Sequence, residues 1–172
     1  MERCKNFILP TDFSVKSLNL VREALEKFPD TRVNLWLVHG IHLPTSITEL
    51  LFYSKLRHLN RLQNLEFISA CHMIRNKYQN QLESLNVDLI NSINPSYINA
   101  YMEAREINEV LIPKNFRFKQ VERNSFDLTP LLKGIPSNRT ELNWRGAFAE
   151  ESTSSNTISD LFGSGDVSLQ AG

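Results

Sequence analysis

The polar residues with the clearest chemical potential lie in one turn near the N-terminus. The apolar residues 7–9 end at Pro10, and Thr11, Asp12 and Ser14 follow directly. Asp12 or Ser14 can cap the start of a following helix. A carboxylate directly after a strand also lies where open α/β sheets bind ligands. At this point both interpretations of Asp12, a helix cap and a ligand contact, remain open.

A second candidate group is basic. Lys114, Arg117 and Lys119 follow the apolar residues 110–112 and Pro113. Their side chains can attract an anion such as a phosphate, although a solvated basic loop is the more ordinary interpretation. Residues 113–133 contain no glycine, so the loop lacks the residues that let backbone N–H groups approach phosphate oxygens. Pro113 removes one further donor.

Histidines and cysteines form no recognisable site. His39 and His42 have the spacing HxxH, but two imidazoles need further ligands to bind a metal ion. Cys4 and Cys71 lie far apart and form no CxxC pair, which indicates free thiols in a reducing compartment. No GxSxG, P-loop or GxGxxG motif is present. We therefore expect no catalytic residue, no metal site, no resident cofactor and no enzymatic activity.

The overall charge of the chain argues against nucleic acid as a partner. The 172 residues include 19 basic and 19 acidic side chains, and a neutral chain has no general attraction for nucleic acid. The N-terminus has no apolar signal region, and no long uncharged apolar run occurs. We therefore expect a cytoplasmic protein that neither spans a membrane nor binds nucleic acid.

The candidate residues are positioned by strands that alternate with helices. Apolar runs predict strands at residues 7–9, 33–41, 87–90 and 110–112, with a fifth candidate at 140–144. Helical periodicity predicts helices at 15–28, 45–57, 62–85, 94–102 and 128–133. This order predicts an α/β fold: a three-layer, doubly wound, Rossmann-like parallel sheet of four to five strands flanked by helices. Ligands of such sheets bind at the carboxyl ends of the strands, so the loops after the first and fourth strands are the candidate site.

The composition changes near residue 146. Residues 1–145 fit one α/β domain, whereas residues 146–172 are rich in Ser, Gly, Thr and acidic residues and contain no Lys or Arg. Such a segment is predicted to be mainly a flexible tail. Its apolar residues Ile158, Leu161 and Phe162 are alternatively a docking peptide for a protein partner or for the parent domain.

Three segments carry a resemblance to a known family: the turn Pro10-Thr11-Asp12-Phe13-Ser14, the apolar strand that ends at His39, and residues 101–113. Over roughly residues 6–135 the chain resembles the universal stress protein (UspA) family, which implies a fold of the adenine nucleotide alpha hydrolase-like type. In nucleotide-binding members, the Asp of the turn and the residue after the strand-two histidine contact the nucleotide. The resemblance implies these roles for Asp12 and Gly40, with Thr11 and Ser14 beside them. Gly40 replaces the usual valine.

The same resemblance implies a phosphate site that this sequence lacks. The family's glycine loop, G-x2-G-x9-G-[ST], follows the fourth strand and is absent here, so the chain resembles a divergent member without the ATP-binding loop. We therefore expect a non-enzymatic module with a stress-response or regulatory role through self-association or partner binding. The resemblance also implies a homodimer through the last edge strand, with Leu142 and Trp144 at the interface. The alternative is binding or weak hydrolysis of ATP or AMP through Asp12 and the basic residues Lys114, Arg117 and Lys119.

Overall fold

The sheet is built from the apolar runs of the sequence. A computed structural model describes residues 3–145. Within them the strands are β1 (Lys5–Pro10), β2 (Val33–Ile41), β3 (Leu82–Ile90), β4 (Glu109–Pro113), β5 (Ser125–Phe126) and β6 (Arg139–Leu142). The order across the sheet is β3-β2-β1-β4-β6, with all neighbours on this path parallel. The two-residue β5 pairs antiparallel with the end of β2.

Helices cover both faces of the sheet. They are α1 (Asn19–Lys27), α2 (Ile47–Leu51), α3 (Lys55–Leu62), α4 (Leu65–Lys77), α5 (Pro95–Ala104) and α6 (Thr129–Lys133), and a 3-10 turn (Lys16–Leu18) precedes α1. Buried residues of α1, α3 and α4 pack together on one face. Those of α5 and α6 pack on the other. The predicted three-layer, parallel, Rossmann-like α/β fold is confirmed.

Local cap chemistry explains several helix starts. Asn94 accepts the N–H of Ser96, and Pro95 occupies the first turn of α5, where its missing N–H costs nothing. Ser14 accepts the N–H of Ser17 at 3.1 Å at the start of the 3-10 turn. Of the two predicted caps near α1, Ser14 is therefore the residue that serves the helical segment. Gly134 ends α6, as predicted.

The predicted helix over residues 62–85 is wrong at both ends. The helix runs only over Leu65–Lys77, and Leu65 itself is 82% exposed. Leu82 and Leu85 belong to β3, where a register shift lies opposite Val33 and Asn34. Such a bulge places one extra residue in the strand, so two leucines three positions apart pack on the same face of the sheet. Their helical spacing thus arises from an irregular strand.

The remaining differences concern short elements. The single helix predicted over residues 45–57 is two helices, α2 and α3, separated at residues 52–54. Ser54 accepts the N–H of Arg57 and caps α3, so the break comes from a new helix start. The fifth predicted strand, at residues 140–144, exists as β6 over Arg139–Leu142, so it begins one residue and ends two residues before its predicted bounds. The strand β5 was not predicted.

Candidate functional site

The carboxyl ends of β1, β2 and β4 border a cavity of about 490 Å³. β1 lies between β2 and β4, where the strand order changes direction and open α/β sheets bind their ligands. Residues 114–126, here called the crossing segment, run from β4 across these strand ends to β5. Thr11, Gly40, Arg117 and Lys119 line the cavity, so four of the predicted site residues are brought together.

The turn after β1 is held by hydrogen bonds among its own polar side chains. The hydroxyls of Thr11 and Ser17 are 2.9 Å apart, and the N–H of Phe13 donates to the Thr11 hydroxyl. Phe13 has a φ of 59°, in the left-handed region that few non-glycine residues adopt. These bonds and the buried Phe13 ring hold the backbone in that conformation.

Asp12 is buried and uses both carboxylate oxygens within the chain. It is 4% exposed. Oδ1 accepts the backbone N–H of Ser14 at 3.0 Å and also the Ser14 hydroxyl. Oδ2 accepts the backbone N–H of Lys119 at 2.9 Å. A carboxylate with these three donors is well satisfied without a ligand, and its third donor comes from the crossing segment.

Three backbone N–H groups of the crossing segment donate to protein acceptors. Lys114 donates to the Leu142 carbonyl at 2.8 Å, Lys119 donates to Asp12, and Glu122 donates to the Ser125 hydroxyl at 3.1 Å. A phosphate nest requires several N–H groups converging on one empty position. Two of these donors instead fasten the segment to β6 and to the turn after β1, and the third closes a turn within the segment itself.

The predicted basic residues have different surroundings. The Lys114 ammonium pairs with Glu141 at 2.9 Å on the surface, and this hydrogen bond and charge raise the pKa of Lys114. Arg117 and Lys119 line the cavity. Of the three basic residues, Arg117 and Lys119 therefore lie where their side chains can contact an anion bound in the cavity.

Gly40 is explained by the close approach of Phe126. A Cβ atom at position 40 would lie 2.7 Å from the Phe126 ring carbon Cε2 and 2.7 Å from the Phe126 carbonyl oxygen. These distances are shorter than van der Waals contact, so any side chain at this position must displace β5. Phe126 therefore occupies the space beside the residue that the family resemblance assigns to the nucleotide.

His39 links β1, β2 and β5. Its Nδ1 is 2.8 Å from the Thr11 carbonyl oxygen, and its Nε2 is 2.9 Å from the Ser125 hydroxyl. Burial lowers the pKa of His39, and the Thr11 carbonyl and the charge of Asp12 only partly oppose this. The ring is therefore neutral at pH 7. Because a carbonyl oxygen only accepts, Nδ1 donates to Thr11 and Nε2 accepts from Ser125.

A further ionic contact fastens the crossing segment to α3. His58 is buried, and its Nε2 is 2.9 Å from the Glu122 carboxylate, which also pairs with Arg61 at 2.9 Å. Burial by itself would raise the pKa of Glu122, but hydrogen bonds from His58 and Arg61 outweigh it and lower that pKa. Sequence analysis missed this contact because its residues are about 60 positions apart, with no shared motif.

The predicted interface residues pack within their own chain. Leu142 is fully buried. The Trp144 indole N–H donates to the Lys16 carbonyl at 2.7 Å, and its ring lies 5.9 Å from that of Phe116. β6 nevertheless forms one edge of the sheet within the described residues. The predicted docking residues Ile158, Leu161 and Phe162, like the whole predicted tail 146–172, lie outside the described residues.

Residues 3–145 contain neither a metal-binding cluster nor a membrane-spanning helix. In that part of the chain, no three His, Cys, Asp or Glu side chains lie together in an arrangement that could hold a metal ion. Nor do these residues form any helix long and apolar enough to cross a membrane. The polar side chains that line the cavity include those of Thr11, His39, Arg117 and Lys119.

Comparison with known proteins gives a similarity of fold. No protein-family model matches the sequence, and no curated protein sequence matches it significantly. Solved structures of universal stress proteins are similar to the chain. One, from Burkholderia pseudomallei, is 8% identical and has a TM-score of 0.48, with 80% of this chain and 95% of that chain covered.

Two further structures show the same degree of similarity. The universal stress protein UspA from Lactobacillus plantarum is 15% identical, with a TM-score of 0.46 and coverage of 80% of this chain and 97% of that one. The hypothetical protein MJ0577 is 16% identical, with a TM-score of 0.41 and coverage of 82% and 96%. At these identities and scores, the function proposed below rests on the residues of this chain.

Proposed function

We propose that the chain is a non-catalytic module of the universal stress protein type that acts in regulation or stress response by binding itself or a protein partner. The hydrogen bond from the Lys119 N–H to Asp12 Oδ2 is the observation on which this proposal depends. It uses the carboxylate that the family resemblance assigns to the nucleotide, and it closes the crossing segment over the turn after β1. Tight ATP binding would require this bond to break.

The apolar side of the crevice supports the same proposal. Phe126 fills the space beside Gly40, and its strand is paired with β2. A purine ring placed there would have to displace Phe126 and break that pairing. Losing the contacts of a half-buried aromatic ring costs about 1–3 kcal/mol, and this cost would weaken the free energy of nucleotide binding by the same amount.

The second candidate function is binding or weak hydrolysis of ATP or AMP. The cavity of about 490 Å³ has the size of a small-molecule site, and Arg117 and Lys119 supply positive charge. Thermal unfolding of the full chain with and without millimolar ATP or AMP separates the two functions. A ligand at about 100 times its Kd adds about 2.7 kcal/mol of stability, which for a chain of this length raises Tm by about 5–10 °C. We expect no shift; a saturable shift of that size would support the second function instead.

Self-association is proposed through the β6 edge. An edge strand presents unpaired backbone groups that can pair with another chain, and the family resemblance implies a homodimer at this place. Because Leu142 is buried within its own chain, the contact would be made by the β6 backbone and the outward-facing Glu141. Sedimentation equilibrium is the test. A dimer that dissociates on replacing Glu141 with Pro supports the proposal, and a strictly monomeric wild-type protein at high concentration contradicts it.

We propose that the protein is cytoplasmic. Cys4 and Cys71 are both free thiols, the first exposed and the second buried, which fits a reducing compartment.

A further inference from the structure

The helix α2 and the residues after it expose an unusual amount of apolar surface. Ile47, Leu51 and Phe52 are 79%, 77% and 76% exposed, and Leu56 is 68% exposed. The α2 surface is defined here as the group Ile47, Leu50, Leu51, Phe52 and Leu56. Single exposed apolar residues are common, but five within ten positions are typical of a surface that another segment covers.

The helix α2 is not stabilised by burial of its own residues in the described part of the chain. α2 has five residues, and none of them is buried. A helix this short is unstable by itself in water, because most helical stability in proteins comes from packing of an apolar face. Its Ser46 cap, which accepts the Glu49 N–H at 3.2 Å, satisfies only one of the helix's unpaired donors.

We propose that residues Ile158, Leu161 and Phe162 of the same chain dock on the α2 surface. These residues lie outside the described part of the chain, and their spacing of i, i+3 and i+4 is that of apolar anchors on one face of a helix. The segment has three large apolar side chains, which are enough to cover a surface of this size without a second protein.

Charge is compatible with this occupant. Lys55 and Arg61, which lie next to the α2 surface, already pair with Asp88 at 3.0 Å and with Glu122 at 2.9 Å. Arg57, which directly follows Leu56, is exposed. Residues 146–172 carry four acidic residues and no basic ones, and Asp160 lies among the three apolar anchors. We expect Asp160 beside Arg57 when the anchors dock, since opposite charges around an apolar contact fix its orientation.

The chain leaves the domain on the face of the sheet that carries α3, the helix after α2, and it is long enough to cross the sheet. The Arg145 carbonyl accepts from Arg22 of α1, and Trp144 packs in the same core layer as Leu59 and Leu62 of α3. The 13 residues from there to Ile158 span up to about 43 Å when extended. The sheet from β6 to β3 is four strand spacings, or about 19 Å, wide.

Hydrogen exchange of the full-length chain tests the contact. We expect Phe162→Ser to accelerate amide exchange in residues 47–56 by about tenfold, the effect of losing one partly buried aromatic contact. The matched control Leu169→Ser, at an apolar residue outside the three anchors, should leave those rates unchanged. Equal rates in wild type and Phe162→Ser would overturn the proposal, as would protection that rises with protein concentration, since a second copy would then cover the surface.

Disulfide formation gives a second, independent test. In a Cys4→Ser background, the pair Thr48→Cys and Ser159→Cys should form a disulfide within one chain, and adding Phe162→Ser should abolish it. Cys71 does not interfere, because burial raises the pKa of its thiol to about 12. Disulfide-linked dimers, or no disulfide at all, would overturn the proposal.

Discussion

Replacing Gly40 with alanine tests how Phe126 closes the crevice. The added Cβ would lie 2.7 Å from both the Phe126 ring and the Phe126 carbonyl oxygen. Overpacking of this kind costs about 1–3 kcal/mol. The alanine also reduces the entropy of the unfolded chain, which stabilises the folded protein by about 0.4–1 kcal/mol. The expected net loss is therefore about 1–2 kcal/mol, or a fall in Tm of about 2–8 °C.

Gly134→Ala is the matched control. The Cβ there would meet only carbonyl oxygens at 3.5 and 3.7 Å, and Gly134 has a helical φ of −78°. The same entropic gain then acts without a clash, so this variant should be more stable than wild type by about 0.5 kcal/mol. Urea unfolding of both variants should separate them by about 2 kcal/mol. If Gly40→Ala is as stable as wild type, Phe126 does not occupy the space beside β2.

A double-mutant cycle identifies the group that causes the clash. In a Phe126→Ala background the ring contact is absent, so the cost of Gly40→Ala should fall by at least about 0.5 kcal/mol. It should not vanish, because the carbonyl oxygen at position 126 remains. Full additivity of the two substitutions would show that the ring and Gly40 are not in contact.

Two further substitutions test the polar groups of the crevice. Asp12→Ala removes the acceptor of three hydrogen bonds in a buried turn, and urea unfolding should show a loss of stability of about 3 kcal/mol. The control Asp30→Ala, at an exposed aspartate, should cost less than about 0.5 kcal/mol. Similar losses in the two variants would contradict the hydrogen bonds of Asp12. His39, whose pKa is lowered by burial, contributes stability that is present above the unfolded-state pKa of about 6.5 and is lost as the pH falls below it. His39→Gln should therefore flatten the dependence of the unfolding free energy on pH between 7 and 5, while the exposed His72→Gln should not, and an unchanged slope in His39→Gln would refute the assignment.

Strands could be predicted because their apolar residues are consecutive. β2 has the predicted bounds, Val33–Ile41, since a central parallel strand is buried on both faces. β3 was predicted only from residue 87, because the bulge near Leu82 gives its first residues helical spacing. Sequence periodicity cannot distinguish a helix from a strand that contains an extra residue.

The closure of the crevice was only partly predictable. The absence of glycine after β4 and the polar turn at Asp12 are visible in the sequence. The bond from the Lys119 N–H to Asp12 joins residues 107 positions apart through a backbone group, so no side-chain pattern marks it. β5 has two residues and no periodicity. Its one signal was Gly40 itself, since an isolated glycine in a buried strand often marks close approach of another segment.

Nuclear magnetic resonance titration tests the central claim most directly. The backbone amides of Lys119, Gly40 and Phe126 report on the three places where the chain closes its own crevice. If those places are occupied as described, adding ATP or AMP to millimolar concentration leaves the three resonances unchanged. Saturable shifts of these amides at submillimolar nucleotide would show that the crossing segment opens and that the crevice binds nucleotide.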